Sequence, residues 1–439
     1  MNRTTRLVSL PTAVAVLAAL VPPLLPAADA GASGYGRFQH TGRGVAQAGA
    51  WVARADDPSA IYYNPAAIAT VDGLQLAGGV EFNNATDEYA SETAGTTRAD
   101  HSIQFPPSVY LSWSDEERLG RWALGVGVDT PEWYRVDWDP VFFPPRFDVR
   151  LNDLKLWQLH GVVAYRASDE WNLGGGVRYV YGGQQLGFNA AQLVEGTDGL
   201  LFPAEIVVDG DADVDGFGFD LGAQYRSTLW GFGAVYRSAV EVEGDGDVGR
   251  GIRDAPLDPL ALANLRAAID ASPNGFDATT DLPWEIAGGV WFAPYPELRF
   301  ELDLVWAGWS DFEQTVRGRT LAGTPLPRTT VASGWDDTLS IRLGVEGDVS
   351  ETIQLAGGVA REPSPVPGDR VSPAWFRGDA MVYAVGASFA FEKVTFDLGY
   401  SLHDHDDVGV AGQEPQDRDV RGRYTTTDQV WSVSARYRF

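Results

Sequence analysis

The side chains of this sequence able to do chemistry are its carboxylates, imidazoles and guanidiniums, and their spacing is informative. In "DGDADVDG", Asp211, Asp213, Asp215 and Gly216 fall in the order of a calcium loop. The twelfth position of such a loop carries a bidentate glutamate, but here it is Gly222, and the stretch runs into an alternating segment instead of a helix. A solvated strand entry is the better account. "LHDHDD" sets His403 and His405 two residues apart, and two exposed imidazoles do not by themselves define a metal site. His160 is the one histidine within an alternating segment and faces the side opposite to its apolar neighbours. A lipid hydrolase needs a nucleophile and a base together at a lipid-facing edge, and no such pair is legible. The expectation is no enzyme, no metal and no cofactor.

The elements that carry these residues follow from a period of two. In "QVWSVSARYRF", Trp431, Val433, Ala435, Tyr437 and Phe439 share one face, and Ser432, Ser434, Arg436 and Arg438 the other. "RFELDLVWAG" separates Phe300, Leu302, Leu304 and Trp306 from Arg299, Glu301 and Asp303, and "TLSIRLGVEG" and "KVTFDLGYSL" behave alike. Fourteen such segments can be counted between residues 73 and 439, joined alternately by short turns and long loops. An even strand number and alternating connection lengths are properties of an outer-membrane barrel. An arginine on the lipid face at mid-depth costs roughly 2–4 kcal/mol, so the mixed-charge face must look into the lumen. The fold class expected is all-β: a fourteen-stranded antiparallel transmembrane β-barrel.

Residues 1–30 place Arg3 and Arg6 before an apolar run and end in Ala28-Asp29-Ala30, the pattern of an export signal removed from the mature chain. The formal net charge is −27, and loss of Arg3, Arg6 and Asp29 makes it one unit more negative. Nucleic acid is therefore excluded as a partner. The chain has no cysteine, so no disulfide framework holds it.

Residues 31–72 have no place in a fourteen-stranded wall. Their glycines suit tight turns and one short helix, with Asp56, Asp57 and Ser59 as capping or turn residues. Pro65 keeps Asn64 out of the helical region, which frees the Asn64 amide for a local backbone bond ahead of Ala66. A periplasmic stub and a plug folded into the lumen are both open on this reading.

The mature start "GYGRFQHTGRGVAQAGAWVARADDPSAIYYNPAAIA", with its Ala-Asp-Asp and Asn-Pro-Ala, resembles the FadL/TodX family of outer-membrane transporters for long-chain fatty acids and other hydrophobic molecules. The resemblance continues in "DLPWEIAGGVWFAPYPELRFELDLVWAGWSDFEQ", in "DTLSIRLGVEGDVSETIQLAGGVAREPSPVP" and in the terminal phenylalanine. It implies a monomeric barrel in the outer membrane of a Gram-negative bacterium, with 31–72 as a lumenal hatch and 73–439 as the wall. It also implies ligand capture between long outer loops, gating by the hatch at Asp56, Asp57, Asn64, Pro65 and Ala66, and release sideways beside a kinked third strand. Gly125 and Gly127 are the candidates for that kink, with packing room for the hatch as the alternative reading. Ligand-facing candidates are Leu200, Leu201 and Phe202 in the third outer loop, and Leu262 and Leu265 on a helix begun by Asp258-Pro259 in the fourth, whose apolar stripe could equally pack on a neighbouring loop.

For an acid headgroup, inward Arg178, Arg237 or Arg342, or Arg317 near the outer end of the ninth strand, can supply a cation, unless these pair with Asp220, Glu301, Asp303 or hatch carboxylates. Fatty acid and uncharged hydrocarbon both remain open as ligand. The other partners expected are outer-membrane lipid and, during biogenesis, the barrel-assembly machinery. A general diffusion porin is the alternative function.

Overall fold

Strands that alternate apolar and polar residues bury one face only, and in hydrocarbon they must also pair every backbone N–H and C=O. The computed structural model meets both demands with a closed antiparallel barrel. It describes residues 39–92, 95–101, 103–139, 145, 147–195, 200–253, 259–272, 274–319, 324–410 and 422–439. The export signal, 1–30, and residues 31–38 of the expected hatch lie outside the described residues.

The wall strands are β1 (Gly73–Ser91), β2 (Pro107–Ser114), β3 (Trp122–Asp137), β4 (Val149–Arg166), β5 (Trp171–Glu195), β6 (Leu201–Arg226) and β7 (Trp230–Arg237, continued by Val240–Arg253). They continue as β8 (Gly275–Leu282 and Glu285–Tyr295), β9 (Leu298–Ala307 and Glu313–Gly318), β10 (Thr329–Ser333 and Thr338–Asp348), β11 (Ile353–Glu362), β12 (Ala380–Phe391), β13 (Val394–His405) and β14 (Gly422–Arg438). The ring closes by pairing β1 with β14 from Gln75↔Arg438 to Ser91↔Gly422. Alternation assigns the faces as expected: Leu302, Leu304 and Trp306 are 41%, 45% and 47% exposed to the outside, whereas Glu301 and Asp303 are buried.

Several strands run well past the expected membrane segments. Residues 188–211 and 244–280, which fall among the long connections between alternating segments, are largely continuations of β5–β8 where described, paired Asn189↔Val207 and Asp247↔Asp211 among others. Above the bilayer the outward face need not be apolar, so "VEVEGDGDVGR" keeps period two with carboxylates outside and Val242, Gly244 and Gly246 inside. A hydrophobicity pattern ends there although the ladder does not.

Residues 39–72 lie inside the ring. They form α1 (Gly42–Ala46), α2 (Ala60–Tyr63) and a 3-10 turn (Pro65–Thr70), two more short helical turns than the sequence suggested. Each turn rests where the wall has no side chain: a Cβ on Gly174 would fall 2.5 Å from the Ala66 nitrogen and from the Pro65 carbonyl carbon. The expected outcome of Gly174→Val is a barrel that assembles with its plug displaced. Overpacking costs of about 1–3 kcal/mol would appear as faster proteolytic trimming of residues 39–72 from the folded barrel, which the unsubstituted protein resists.

Candidate functional site

The lower lumen is a charged socket. Glu301 and Asp303 on β9 and Glu346 on β10 are inward by alternation and are fully covered by the plug. Their oxygens accept from the plug backbone: Val52 N–H to Asp303 at 2.9 Å and Ala53 N–H to Glu301 at 2.7 Å. Arg43 reaches Glu346 with two nitrogens at 2.7 and 2.9 Å, and Arg54 reaches the same carboxylate at 2.6 Å. Arg43 also pairs with Asp56 at 2.5 Å and lies 3.7 Å from Asp57. Between the two guanidiniums stands Trp51, whose ring lies 4.3 Å from Arg43 and 4.6 Å from Arg54. Cation–π contact in a desolvated site is worth about 2 kcal/mol, and the sandwich keeps two like charges apart while both serve one carboxylate.

Asn64 and Pro65 fix the next turn. The Asn64 amide donates to the Val52 carbonyl at 3.0 Å and to Ala223 of β6 at 3.2 Å, and its oxygen accepts from Ala66 N–H at 3.1 Å. One side chain thus ties two plug segments to the wall. Asp57 accepts from Ser59 N–H at 2.9 Å, opening α2, and lies 3.8 Å from Arg436 of β14. Beside the plug a cavity of about 20 Å³ is lined by Gln39, Tyr62, Arg237, Glu285 and Arg342 among others. That is room for a water and not for an acyl chain.

Among the described residues the wall is interrupted between β2 and β3. The ladder between β2 and β3 runs from Ser114↔Ala123 to Val109↔Val128. Beyond it come Pro106 and Pro107, which have no N–H to offer, and residues 103–104 pair with β1 instead. On its other side β3 gains one residue against β4, between Asp129↔Gln158 and Glu132↔Leu156, at Thr130-Pro131. The irregularity expected at Gly125 and Gly127 therefore lies a few residues further on, where proline removes a donor. The two glycines are in regular ladder and make room instead: Cβ atoms there would meet Ile61 of the plug at 2.8 Å and Tyr110 at 2.5 Å. A side chain crosses the gap. The Gln104 amide donates to the Trp133 carbonyl at 2.9 Å and accepts from Arg135 N–H at 3.2 Å. On the lumen side the plug closes it, with Gln39 N–H on Glu81 at 3.0 Å and the Ser108 hydroxyl donating to the His40 carbonyl.

Around the same level runs a buried polar belt: Tyr110 donates to Asp129 at 3.2 Å, Gln158 donates to Asp129 at 3.2 Å, and His160 lies 3.0 Å from Asp220. Arg178 belongs to this belt. It donates to Gln158 at 3.3 Å and to the Ser238 carbonyl at 2.7 Å, so amide and backbone oxygens, not carboxylates, are the hydrogen-bond acceptors of this expected headgroup cation. Arg237 pairs with Glu285 at 3.0 Å and Arg342 with Glu362 at 3.2 Å. Arg317 is not with them. The 3-10 turn at Trp309–Asp311 resets the phase of β9, and Arg317 sits opposite Asp277 on the outward side, bonded to the Leu326 carbonyl at 2.9 Å.

Above the belt the inward residues turn apolar and aromatic. Tyr134, Trp138, Trp309, Phe312, Trp335 and Tyr424 belong to one buried cluster that also takes in Val371 to Phe376 of the loop between β11 and β12. Sequence reading missed this chamber because its rings come from strand ends and loop interiors, where no period marks an inward face. Of the loop residues singled out, Leu265 is buried and Leu262 half-buried on α3 (Pro259–Asp270). Leu265 packs with Ala204 and Ile206 of the extended β6, the packing reading of that stripe. Leu200 is exposed, and the side chains of Leu201, Phe202 and Asp258 lie outside the described residues.

A fourteen-stranded wall with short turns at one end, long loops at the other and a polypeptide plug within defines a plugged outer-membrane barrel. The family model described as outer membrane protein transport protein (OMPP1/FadL/TodX) matches residues 26–439, and the chain belongs to that family. Family members are transport channels of the outer membrane, not enzymes. The chain is 27% identical over 270 residues to the long-chain fatty acid transport protein of Escherichia coli O6:H1 and 25% over 267 to that of Salmonella typhi. These matches take in 57% of this chain and 59% of each relative. Among solved structures, a Pseudomonas aeruginosa FadL homologue superposes with a TM-score of 0.77 at 20% identity, covering 93% of this chain and 100% of that one. The P. putida toluene transporter TodX gives 0.67 at 15%, covering 92% and 99%. Both likenesses support the fold.

Two consequences of the socket are measurable. Glu346→Ala strands Arg43 and Arg54, and loss of one partner of a buried ion pair costs about 3–5 kcal/mol; flickering conductance in planar bilayers, absent from the unsubstituted protein, is the expected result. Burial, with Arg237 nearby, lowers His40 from 6.5 to about 3, so the docked plug refuses a proton that an undocked plug accepts. Burial raises Asp56, but Arg43 and Arg54 outweigh it and lower its pKa from 3.8, which makes docking weaken further in stronger acid. The His40 contribution to docking is at full strength above pH 6.5 and is lost by about 1.4 kcal/mol per unit as pH falls from there toward 3. Acidification over that window should add more leak conductance in the unsubstituted protein than in His40→Gln.

Proposed function

We propose that this chain is a passive transporter taking up long-chain fatty acids or other hydrophobic small molecules across the outer membrane. The observation that carries the reading is the vertical order of the lumen: an upper chamber filled by its own aromatic rings, then a polar belt beside a breach in the wall, then a charged floor covered by the plug. An apolar molecule entering the chamber meets a charged floor. A step into an aqueous pore forfeits about 0.8 kcal/mol per CH₂ of burial, whereas a step sideways through the breach between β2 and β3 retains it. Ligand is gathered by the outer loops, including exposed Leu200 and half-buried Leu262 of α3, and leaves laterally when the plug segment at Gln39–His40 withdraws from behind Ser108. Asp56, Asp57, Asn64, Pro65 and Ala66 then act as gating residues, since their bonds hold that plug in register. Arg178, donating to neutral oxygens, is the cation best placed for an acid headgroup.

The rest of the reading concerns biogenesis and assembly. Residues 1–30 are removed on export, the hatch spans 31–72, terminal Phe439 is read by the assembly machinery, and the barrel works as a monomer in lipid. A diffusion porin is disfavoured by the plug. Mass spectrometry of lipids co-purified with the barrel tests the proposal: apolar or amphiphilic acyl or aromatic ligands are expected, and finding only sugars or ions would refute it. Planar-bilayer recordings complement it, because large steady open steps belong to a porin.

A further inference from the structure

Resting on that transport reading, we infer that Trp375 and Phe376 are built-in stand-ins for the ligand: the outer-loop segment Val371–Arg377 seats its own rings in slots shaped for a flat aromatic hydrophobe, which binds by displacing them. The segment follows β11 and folds inward over the chamber. Trp375 stacks on Tyr134 of β3 with centroids 5.2 Å apart and planes at 19°, and meets Trp335 edge-on at 5.2 Å. Phe376 stacks on Tyr424 of β14 at 4.8 Å and 24°, with Trp138 at 5.5 Å behind it. Each slot is thus a parallel ring face closed by a second ring, the arrangement that aromatic quadrupoles favour. A saturated chain fills the volume without restoring that geometry.

The segment is held in a way suited to exchange. Its tip is gripped by two neutral bonds from the wall: the Tyr134 hydroxyl donates to the Ala374 carbonyl at 2.8 Å, and Trp138 Nε1 donates to the Pro373 carbonyl at 2.8 Å. Its base is clasped by charge, with Arg377 3.0 Å from Asp428 and 3.3 Å from Asp87. The tip can leave while the base stays, since Arg377 and the next residue, Gly378, which packs directly on the Asp406 backbone, anchor only the end of the segment. Exchange of ring for ring keeps the chamber's apolar area covered throughout, so no wet intermediate has to form.

The chain lacks cysteine, so a nitroxide on Ser372→Cys reports the segment alone. Naphthalene is the probe and dodecanoate the comparison, each with its binding measured by equilibrium dialysis on the detergent-solubilised full barrel. The expected result is that naphthalene mobilises the label at saturation and dodecanoate does so far less. Trp375→Ala/Phe376→Ala, having no resident rings to expel, should bind naphthalene about tenfold more tightly. A label that stays immobile while naphthalene binds overturns the inference and leaves the transport reading intact, as does an unchanged or weaker affinity in the double variant. Equal mobilisation by dodecanoate overturns the aromatic preference. Binding of neither probe removes the transport reading and this inference with it. The label experiment uses the native rings, so it decides the matter even if the double variant does not fold.

Discussion

Everything in this molecule follows from the need to pair backbone groups where there is no water. An N–H left open in hydrocarbon costs several kcal/mol, and fourteen antiparallel strands escape that cost by closing β1 on β14 along their whole length. Closure with period two then sorts side chains without further choice: every second residue faces lipid, and the rest share one enclosed space. Carboxylates that would be ordinary on a soluble surface, such as Glu301, Asp303 and Glu346, are forced together inside. They need cations and donors, and a preceding stretch of the same chain brings them. The plug is in this sense the complement of the wall, and Arg43, Arg54 and the N–H groups of Val52 and Ala53 are its reading of the wall's charge.

The division of the lumen into charged floor and aromatic upper chamber has a similar origin. Low in the barrel the strands are at bilayer depth, where inward polar residues can be satisfied only by the plug. Toward the outside, loops reach back over the mouth and bring Trp309, Trp335 and Trp375 into contact with Tyr134 and Trp138 from the strands. The result is a gradient of polarity along the axis, which on the proposed route is the direction in which an apolar molecule finds its environment worsening and the wall becoming the better exit.

Much of this was legible in the residues. The strand count and the face assignments follow from alternation, whereas a lumenal place for the stretch before β1 came from the family resemblance, the residues alone having left a periplasmic stub open; the Asn64 amide bond followed from what Pro65 does to its neighbour. What escaped the sequence has physical reasons. Above the membrane the outward face is no longer apolar, so β5–β8 outran their hydrophobic pattern. A 3-10 turn shifted the phase of β9 and moved Arg317 to the outside. Of the two readings open for Gly125 and Gly127, a bend and packing room, only the second matches their contacts. The aromatic chamber depends on rings hundreds of residues apart in sequence, a proximity that no local spacing encodes.

The prolines beside the breach carry one more implication. Pro106, Pro107 and Pro131 lack the hydrogens that a continuous ladder would require, so no shift of register can knit β2 to β3 there. The defect is written into covalent structure and is as permanent as the fold. On the proposed route, opening and shutting is therefore not a property of the sheet at all. It belongs to whatever stands in the gap, an amide from Gln104 on one side and the leading turn of the plug on the other, much as a window frame is fixed and only the sash moves.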